Sequence, residues 1–344
     1  MDKVILYFNS TLAHFSQLIT GLEYLKEKKQ IDLTYKLSLG EYPVDLFRIS
    51  YNGLTLIFDM SDNSKFNYDA YKVCDFYIKR MLLITDYEKY SKLIPYGLNY
   101  QIYSKNNFTK FLFLKNRKLL KYSMRYSTVM SKILGIKDCV INNNLNNMES
   151  VPVDKNQIIF RARLWNPENN EIEWKKKERE VLNHERITIN RELKKKYGGG
   201  FKGGIQKDTY SIEQCPDLML KESDYHKWNY LKLLKNCTIG IVNQGLEDSI
   251  SWKMGEYISH SMAIITKPIK KYQLLGTFQE TENYLEYSTL SECLDKTELL
   301  YTNDKLRKSM QKANQRYYNE VLHPGMKLKK IFSLIENSSD TFKV

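Results

Sequence analysis

The side chains best suited to chemistry gather in GLEDSISWKMGEYISHSMAIITKP, residues 245–268. A strand-like run, CTIGIV (237–242), leads into a loop with Gly245, Ser249 and Ser251, and the loop leads into a helical period carrying Lys253 and Glu256. A helix start after a strand offers unpaired N–H groups and the positive end of the helix dipole. Such a place suits a phosphate or diphosphate. Ser249 and Ser251 can cap and donate, and Lys253 adds positive charge. Glu256 would repel phosphate, but its two oxygens suit the paired hydroxyls of a ribose. The spacing therefore predicts a nucleoside diphosphate, with phosphates at the helix start and ribose at the carboxylate. The plain alternative is an N-capping serine, with Lys253 and Glu256 in solvent.

Arg161 and Arg163 stand two apart at the end of the apolar run QIIFRARLW, so they point to one side of a sheet. Arginine binds phosphate bidentately and stays charged, which predicts a diphosphate clamp. The alternative is an ion pair with the acids at 168–180. Arg186 and Arg191 lie beside Glu185 and Glu192 on a helical stretch and read as an ion-paired, solvated face. His184, His226, His260 and His323 read as structural or exposed.

The elements that must position these residues alternate. KVILYF (3–8), LFRIS and LTLIFDM, QIIFRARLW, CTIGIV and MAIIT are strand-like, and FSQLITGLEYLKEK (15–28), NHERITINRELKKKYGG (183–199), YHKWNYLKLLKN (225–236) and DKLRKSMQKANQRYYNEVL have helical spacing. The segment 68–82 reads as a helix with a short strand in it. Such alternation predicts α/β domains with mainly parallel sheets, and ligands beyond the carboxyl ends of the strands. The chain has 344 residues, which suggests two domains of about 150 residues each. The polar stretch NNNLNNMES places the joint near 142–156. The expected division is 1–150, 151–325 and a last helix, 326–344, crossing back to the first domain.

A net charge of +13 points to an anionic partner. Five scattered cysteines, with no C-x-x-C pair, fit a reducing compartment and argue against a disulfide framework or a zinc site. The N-terminus has an apolar run too short for an export signal. No run is long enough to span a membrane.

YLKLLKNCTIGIVNQGLEDSISWKMGEYISHSMAIITKP resembles the nucleotide-sugar half of GT-B glycosyltransferases of the bacterial surface-polysaccharide type, and more loosely the exostosin and family 1–4 types. IIFRARLWNP with HERITINRELKKKYGGGFKGG, CDFYIKRML with LIPYGLNY, and the tail NYLEYSTLSECLDKTELLYTND with ANQRYYNEVLHP are similar to the same enzymes. The resemblance implies a GT-B fold, α/β with two facing Rossmann-like domains and a deep interdomain cleft. It implies a nucleotide-sugar donor on the C-terminal domain, a glycan or lipid-linked glycan acceptor on the N-terminal one, no cofactor and no metal. Glu256 falls on the glutamate that holds the donor ribose, and Lys253 on a basic position near the diphosphate. Many retaining members carry a second acid eight residues before that glutamate. Asp248 has the spacing, but its loop departs from their pattern.

Inverting transfer needs a group to take the acceptor's proton. Asp59 and Asp62, at the end of the strand LTLIFDM, and His14, at the first strand-to-helix turn, are the candidates. Each has a plain alternative: Asp59 as a helix cap, Asp62 as a turn residue, His14 as a helix-start residue. Residues 105–137 hold nine Lys or Arg and no acid. An amphipathic helix with a charged outer face, or an anionic membrane met by Phe108, Phe111, Phe113, Leu119 and Leu120, would both explain that. Nucleic acid is the third reading, without an accompanying motif, and is not expected as a partner. A cytoplasmic enzyme, peripheral to the membrane's inner face, is the expected location. The competing class is a non-enzymatic, basic nucleic-acid-binding α/β protein.

Overall fold

A computed structural model describes residues 1–104, 119–120, 124, 127–135 and 143–341. The chain forms two compact units, one of residues 1–148, 271–277 and 319–344, the other of 149–270 and 278–318.

The first unit is built on a six-stranded sheet of β1 (Asp2–Phe8), β2 (Ile31–Leu37), β3 (Leu46–Tyr51), β4 (Leu54–Asp59), β5 (Phe76–Lys79) and β6 (Leu93–Pro95), in the order β2-β1-β3-β4-β5-β6. Three pairings are parallel, but β3 runs antiparallel to both β1 and β4. The cause is local. Asn52 and Gly53 have φ of 48° and 93°, the left-handed pair that a two-residue hairpin turn requires. Asn52 also ties the turn to β1, its Oδ1 accepting from Lys3 N at 2.8 Å. Helices α1 (Ser16–Glu27), α2 (Tyr68–Val73) and α3 (Ile84–Lys89) connect the strands, and a short α4 (Thr128–Ile133) follows.

The buried Leu18, Ile19, Leu22 and Leu25 of α1 follow the helical period read from the sequence. The C-terminal helix Pro324–Thr341 packs in this unit, with Phe332 stacked on Tyr51 at 4.2 Å between ring centroids. It also carries the buried Lys327, whose ammonium donates to Gln17 Oε1 at 3.0 Å and lies 4.1 Å from the Tyr96 ring centroid. Burial pushes that ammonium's pKa well below the ordinary lysine range.

In the second unit, β7 (Ile158–Ile159), β10 (Ile239–Val242), β11 (Ala263–Thr266) and β12 (Tyr284–Glu286) make an all-parallel sheet in the order β12-β11-β10-β7. Every residue of IGIV and AIIT is buried, as expected when helices cover both faces. Strand β8 (Arg161–Ala162) continues from β7 after one residue and pairs in parallel with β9 (Gly204–Ile205). The connecting elements are α5 (Glu173–Tyr197), α6 (Thr209–Gln214), α7 (Glu222–Tyr225), α8 (Lys227–Leu234), α9 (Trp252–Ser259), α10 (Leu290–Thr302) and α11 (Asp304–Tyr317).

Helix α5 begins at Glu173, not near 183 as the sequence suggests. Its first turns, EWKKKEREV, bury no side chain, so no apolar period marks them. From β8 the chain passes through α5 to β9 on one side, while on the other side β7 pairs with β10. The strand order reverses at that point, and a doubly wound sheet offers its ligand crevice there.

Among the described residues, no helix is long and apolar enough to cross a membrane.

Candidate functional site

The exits of β8 and β10 flank the reversal, and one side chain joins them. Arg186, 5% exposed, donates through Nη1 to Arg163 O at 2.8 Å and through Nη2 to Gln244 O at 2.9 Å. Its guanidinium lies 4.0 Å from the centroid of Trp165. Asn183 fixes Trp165 by accepting from its backbone N at 3.0 Å and donating to its O at 2.8 Å. Burial, then the nearby Arg163, pushes the Arg186 pKa down to about 9. The solvated, ion-paired face expected for Arg186 is therefore corrected: Glu185 pairs instead with Lys267 at 2.7 Å. Arg191 is solvated and ion-paired, but with Asp217 at 2.9 Å.

The loop after β10 turns tightly. Gly245 N donates to Ser249 O at 2.8 Å, and a Cβ at Gly245 would stand 2.4 Å from Ser249 Oγ. Glu247 and Asp248 follow with φ of 57° and 58°, a left-handed conformation costing such residues about 1–2 kcal/mol each. Helix α5 grips this turn. Lys175 Nζ meets Glu247 Oε1 at 2.8 Å, and Glu247 N donates to Glu178 Oε1 at 2.7 Å. The Gln244 amide donates to the Asp248 carboxylate. Ser249 is buried, and Ser251 is the N-cap of α9, its Oγ accepting from Lys253 N at 3.4 Å. For Ser251 the structure shows the plain capping contact.

Glu256, on α9, is not solvated. It is 8% exposed, with Lys227 Nζ 2.9 Å from Oε1 and the Tyr230 hydroxyl donating to Oε2 at 2.9 Å. Burial works to raise its pKa, but the charges of Lys227 and Lys253 and the two hydrogen bonds outweigh it and hold the carboxyl at about 2. Three cations surround the Tyr230 ring: Lys227 at 5.0 Å, Lys253 at 5.5 Å and Arg161 at 5.7 Å from its centroid. Arg161 also donates to the carbonyls of Lys202 and Asp224.

Burial pushes Lys253 down to about 8. Glu256 opposes that shift, and Lys227, Arg161 and Arg186 add to it. Three cations against one carboxylate leave this corner positive, as an anion site needs. Arg163 is exposed, 5.3 Å from the Trp165 centroid, and does not join the cluster around Tyr230. The sequence pattern does not single out Lys227, Tyr230 or Trp165. Lys227 and Tyr230 lie 29 and 26 positions from Glu256, and only their shared face, one turn apart on α8, hints at joint use.

In the first unit the three proton-acceptor candidates part company. Asp59 is 2% exposed and its carboxylate is occupied. Oδ1 accepts from Ser61 N at 2.9 Å, Ser61 Oγ at 2.6 Å and Lys79 Nζ at 3.1 Å, and Oδ2 accepts from the Tyr77 hydroxyl at 2.7 Å. A carboxylate with four donors is poorly placed to take a substrate proton. It reads as the counter-ion of buried Lys79, neither a base nor a helix cap.

His14 and Asp62 come together, with Nε2 to Oδ2 at 3.5 Å and the side chains 27% and 49% exposed. Arg80 pairs with the same Asp62. Burial, then Arg80, lowers the His14 pKa to about 4, against the opposing charge of Asp45. At neutral pH the imidazole is therefore uncharged and able to accept a proton.

Of the basic segment, Phe108, Phe111 and Phe113 lie outside the described residues. Leu119 is buried and cannot enter a bilayer. Among the described residues of this region, the exposed apolar side chains are on and just after α4: Val129 at 67%, Met130 at 39%, Ile133 at 71% and Leu134 at 50%.

No family model matches the chain. No curated protein matches it either. Solved structures do. A glycosyltransferase from Rickettsia africae is 12% identical, with 94% of this chain and 82% of that one covered and a TM-score of 0.44. An alpha-glucosyltransferase in complex with UDP is 9% identical, with 96% and 98% covered and a TM-score of 0.43. A UDP-GlcNAc 2-epimerase from Neisseria meningitidis bound to UDP-GlcNAc is 10% identical, with 97% and 100% covered and a TM-score of 0.39.

Proposed function

We propose that the chain is a GT-B glycosyltransferase, moving a hexosyl or deoxyhexosyl group from a nucleoside diphosphate sugar to a glycan or lipid-linked glycan in surface polysaccharide synthesis. The observation that carries this reading is the corner of Arg161, Lys227 and Lys253 around Tyr230 and the ionised Glu256. An ionised carboxylate has lone pairs left for two ribose hydroxyls beyond those taken by Lys227 and Tyr230. The cations and the α9 N-terminus can meet the charge that develops on the departing diphosphate, so the proposal invokes no metal. His14, beside Asp62, is the proposed proton acceptor for inverting chemistry.

Thermal unfolding with UDP, GDP and their sugars tests the reading. A ligand at 100 times its Kd adds about 2.7 kcal/mol. No shift with any nucleotide, beside salt-sensitive binding of oligonucleotides, would replace the transferase with the basic nucleic-acid-binding alternative.

A lipid-linked acceptor would bring the enzyme to the cytoplasmic face of a membrane. The exposed Val129 and Ile133, in a stretch with nine cations and no acid from 105 to 137, fit that location. Binding to phosphatidylglycerol vesicles is expected to fall at least about tenfold in Val129→Ser/Ile133→Ser, since each buried aliphatic side chain is worth about 1.5–3 kcal/mol. Equal binding by the variant would remove the membrane from the proposal.

A further inference from the structure

A recess of about 280 Å³ opens in the second unit between the first half of α5 and the loop after β10. Trp174, Val181 and Leu182 supply its apolar wall, and Lys177, Glu178, Gln244 and Asp248 its polar one. Trp174 is 56% exposed and Val181 62%, although apolar groups gain by being covered. The volume lies just below the range of about 300–1,000 Å³ typical of drug-sized ligands, which suits a single small ring.

The chemistry narrows the ligand. Two carboxylates outnumber the one ammonium, of Lys177, and disfavour a phosphate, and so polar a wall disfavours a hydrocarbon. An aromatic face set against two carboxylates, an amide and an ammonium fits a pyranose: its C–H face covers an indole, its hydroxyls donate to the carboxylates, and its oxygens accept from the amide and the ammonium. The wall is held in place from behind. Lys175 reaches Glu247 at 2.8 Å while its ammonium lies 5.2 Å from the Trp174 centroid, and Glu178 holds Glu247 N at 2.7 Å. The strained turn and the indole thus share one clamp.

We propose that this recess binds a pyranose ring of a saccharide substrate, with Trp174 as the stacking surface and Glu178 and Asp248 as hydroxyl acceptors. The local chemistry stands alone. Which saccharide is meant rests on the transferase reading: the sugar of the donor or a ring of the acceptor.

Calorimetric titration of the full chain separates the cases, with UDP, GDP, their glucose, N-acetylglucosamine and mannose conjugates, and free oligosaccharides of the same sugars. In Trp174→Ala we expect affinity for a saccharide-bearing ligand to fall at least about tenfold, with the free nucleoside diphosphate within about twofold of wild type. Trp174→Phe should recover most of the loss. A loss confined to nucleotide sugars assigns the recess to the donor, and one confined to oligosaccharides assigns it to the acceptor. Should wild type bind no nucleotide while oligosaccharide binding still depends on Trp174, the recess assignment stands and the transferase reading fails. If saccharide ligands bind Trp174→Ala and wild type alike, or none binds wild type, the recess assignment is overturned.

Discussion

Glu256→Ala is expected to weaken binding of a nucleoside diphosphate by about 10–100-fold, the range set by losing charge-assisted hydrogen bonds of about 1.5–3 kcal/mol. Inorganic pyrophosphate should bind as well as before, or better. The two ligands differ only by the nucleoside, and Glu256 is the one carboxylate among Lys227, Lys253 and Arg161 around Tyr230. Removing it strips out a ribose acceptor and leaves the cations less compensated. The comparison belongs at pH 6. Glu256 raises the pKa of Lys253, which burial has pushed to about 8, so in the variant Lys253 loses its charge at lower pH and would confuse a measurement at pH 8. Parallel losses for both ligands would assign Glu256 to general structure and not to ribose.

Stability offers an independent readout. The Glu256 carboxyl sits at about 2 in the fold against an ordinary value of 4.5. A depressed carboxyl adds stability above its unfolded pKa and loses it as pH falls through the folded one. That contribution, about 3 kcal/mol at most from a shift of this size, should be complete above pH 4.5 and fade toward pH 2. Acid denaturation of Glu256→Gln should be flatter across that window.

How much of this was legible beforehand depends on whether the signal was local. Apolar runs such as IGIV and AIIT announced the buried parallel strands, and the periods of α1 and α9 announced the helices. Asn52-Gly53 carries a hairpin signal, which turns β3 against its neighbours within a sheet expected to be mainly parallel. The first nine residues of α5 give none, since a helix that buries no side chain leaves no period to read.

The site divides in the same way. Lys253 and Glu256 stand one turn apart and were found together. Lys227 and Tyr230, which determine the charge state of Glu256, come from another helix, and only the fold brings them near. Arg186 misled for a related reason. Glu185 and Glu192 along the helix suggest an ion-paired surface, whereas the rotation of α5 turns Arg186 inward onto Trp165 and two strand exits. Asp59 and Asp62 are equivalent in the sequence as acids at the end of β4. The difference is Lys79 at the end of β5, whose buried ammonium claims Asp59 and leaves Asp62 for Arg80 and His14.

His14→Ala is expected to lower kcat by about 10²–10⁴, the usual contribution of a positioned general base, with the donor's Kd unchanged. A base works in its neutral form, so activity should rise with pH through the base's pKa and then level. Burial and Arg80 place that pKa at about 4, not at the free value of 6.5. Kcat/KM should therefore be flat from pH 6 to 7, below the range in which Lys253 loses its charge, and on the acid side fall only as pH approaches 4. Removing one lowering charge, in Arg80→Met, should move the acid limb upward, toward 6.5. Asp62→Asn should cost less than His14→Ala, because the carboxylate 3.5 Å away only steadies the imidazolium that forms. The readouts fail separately. An acid limb near 6.5 in wild type would leave a base in place but not this buried imidazole, and turnover of His14→Ala within about threefold of wild type would remove His14 from the proton path altogether.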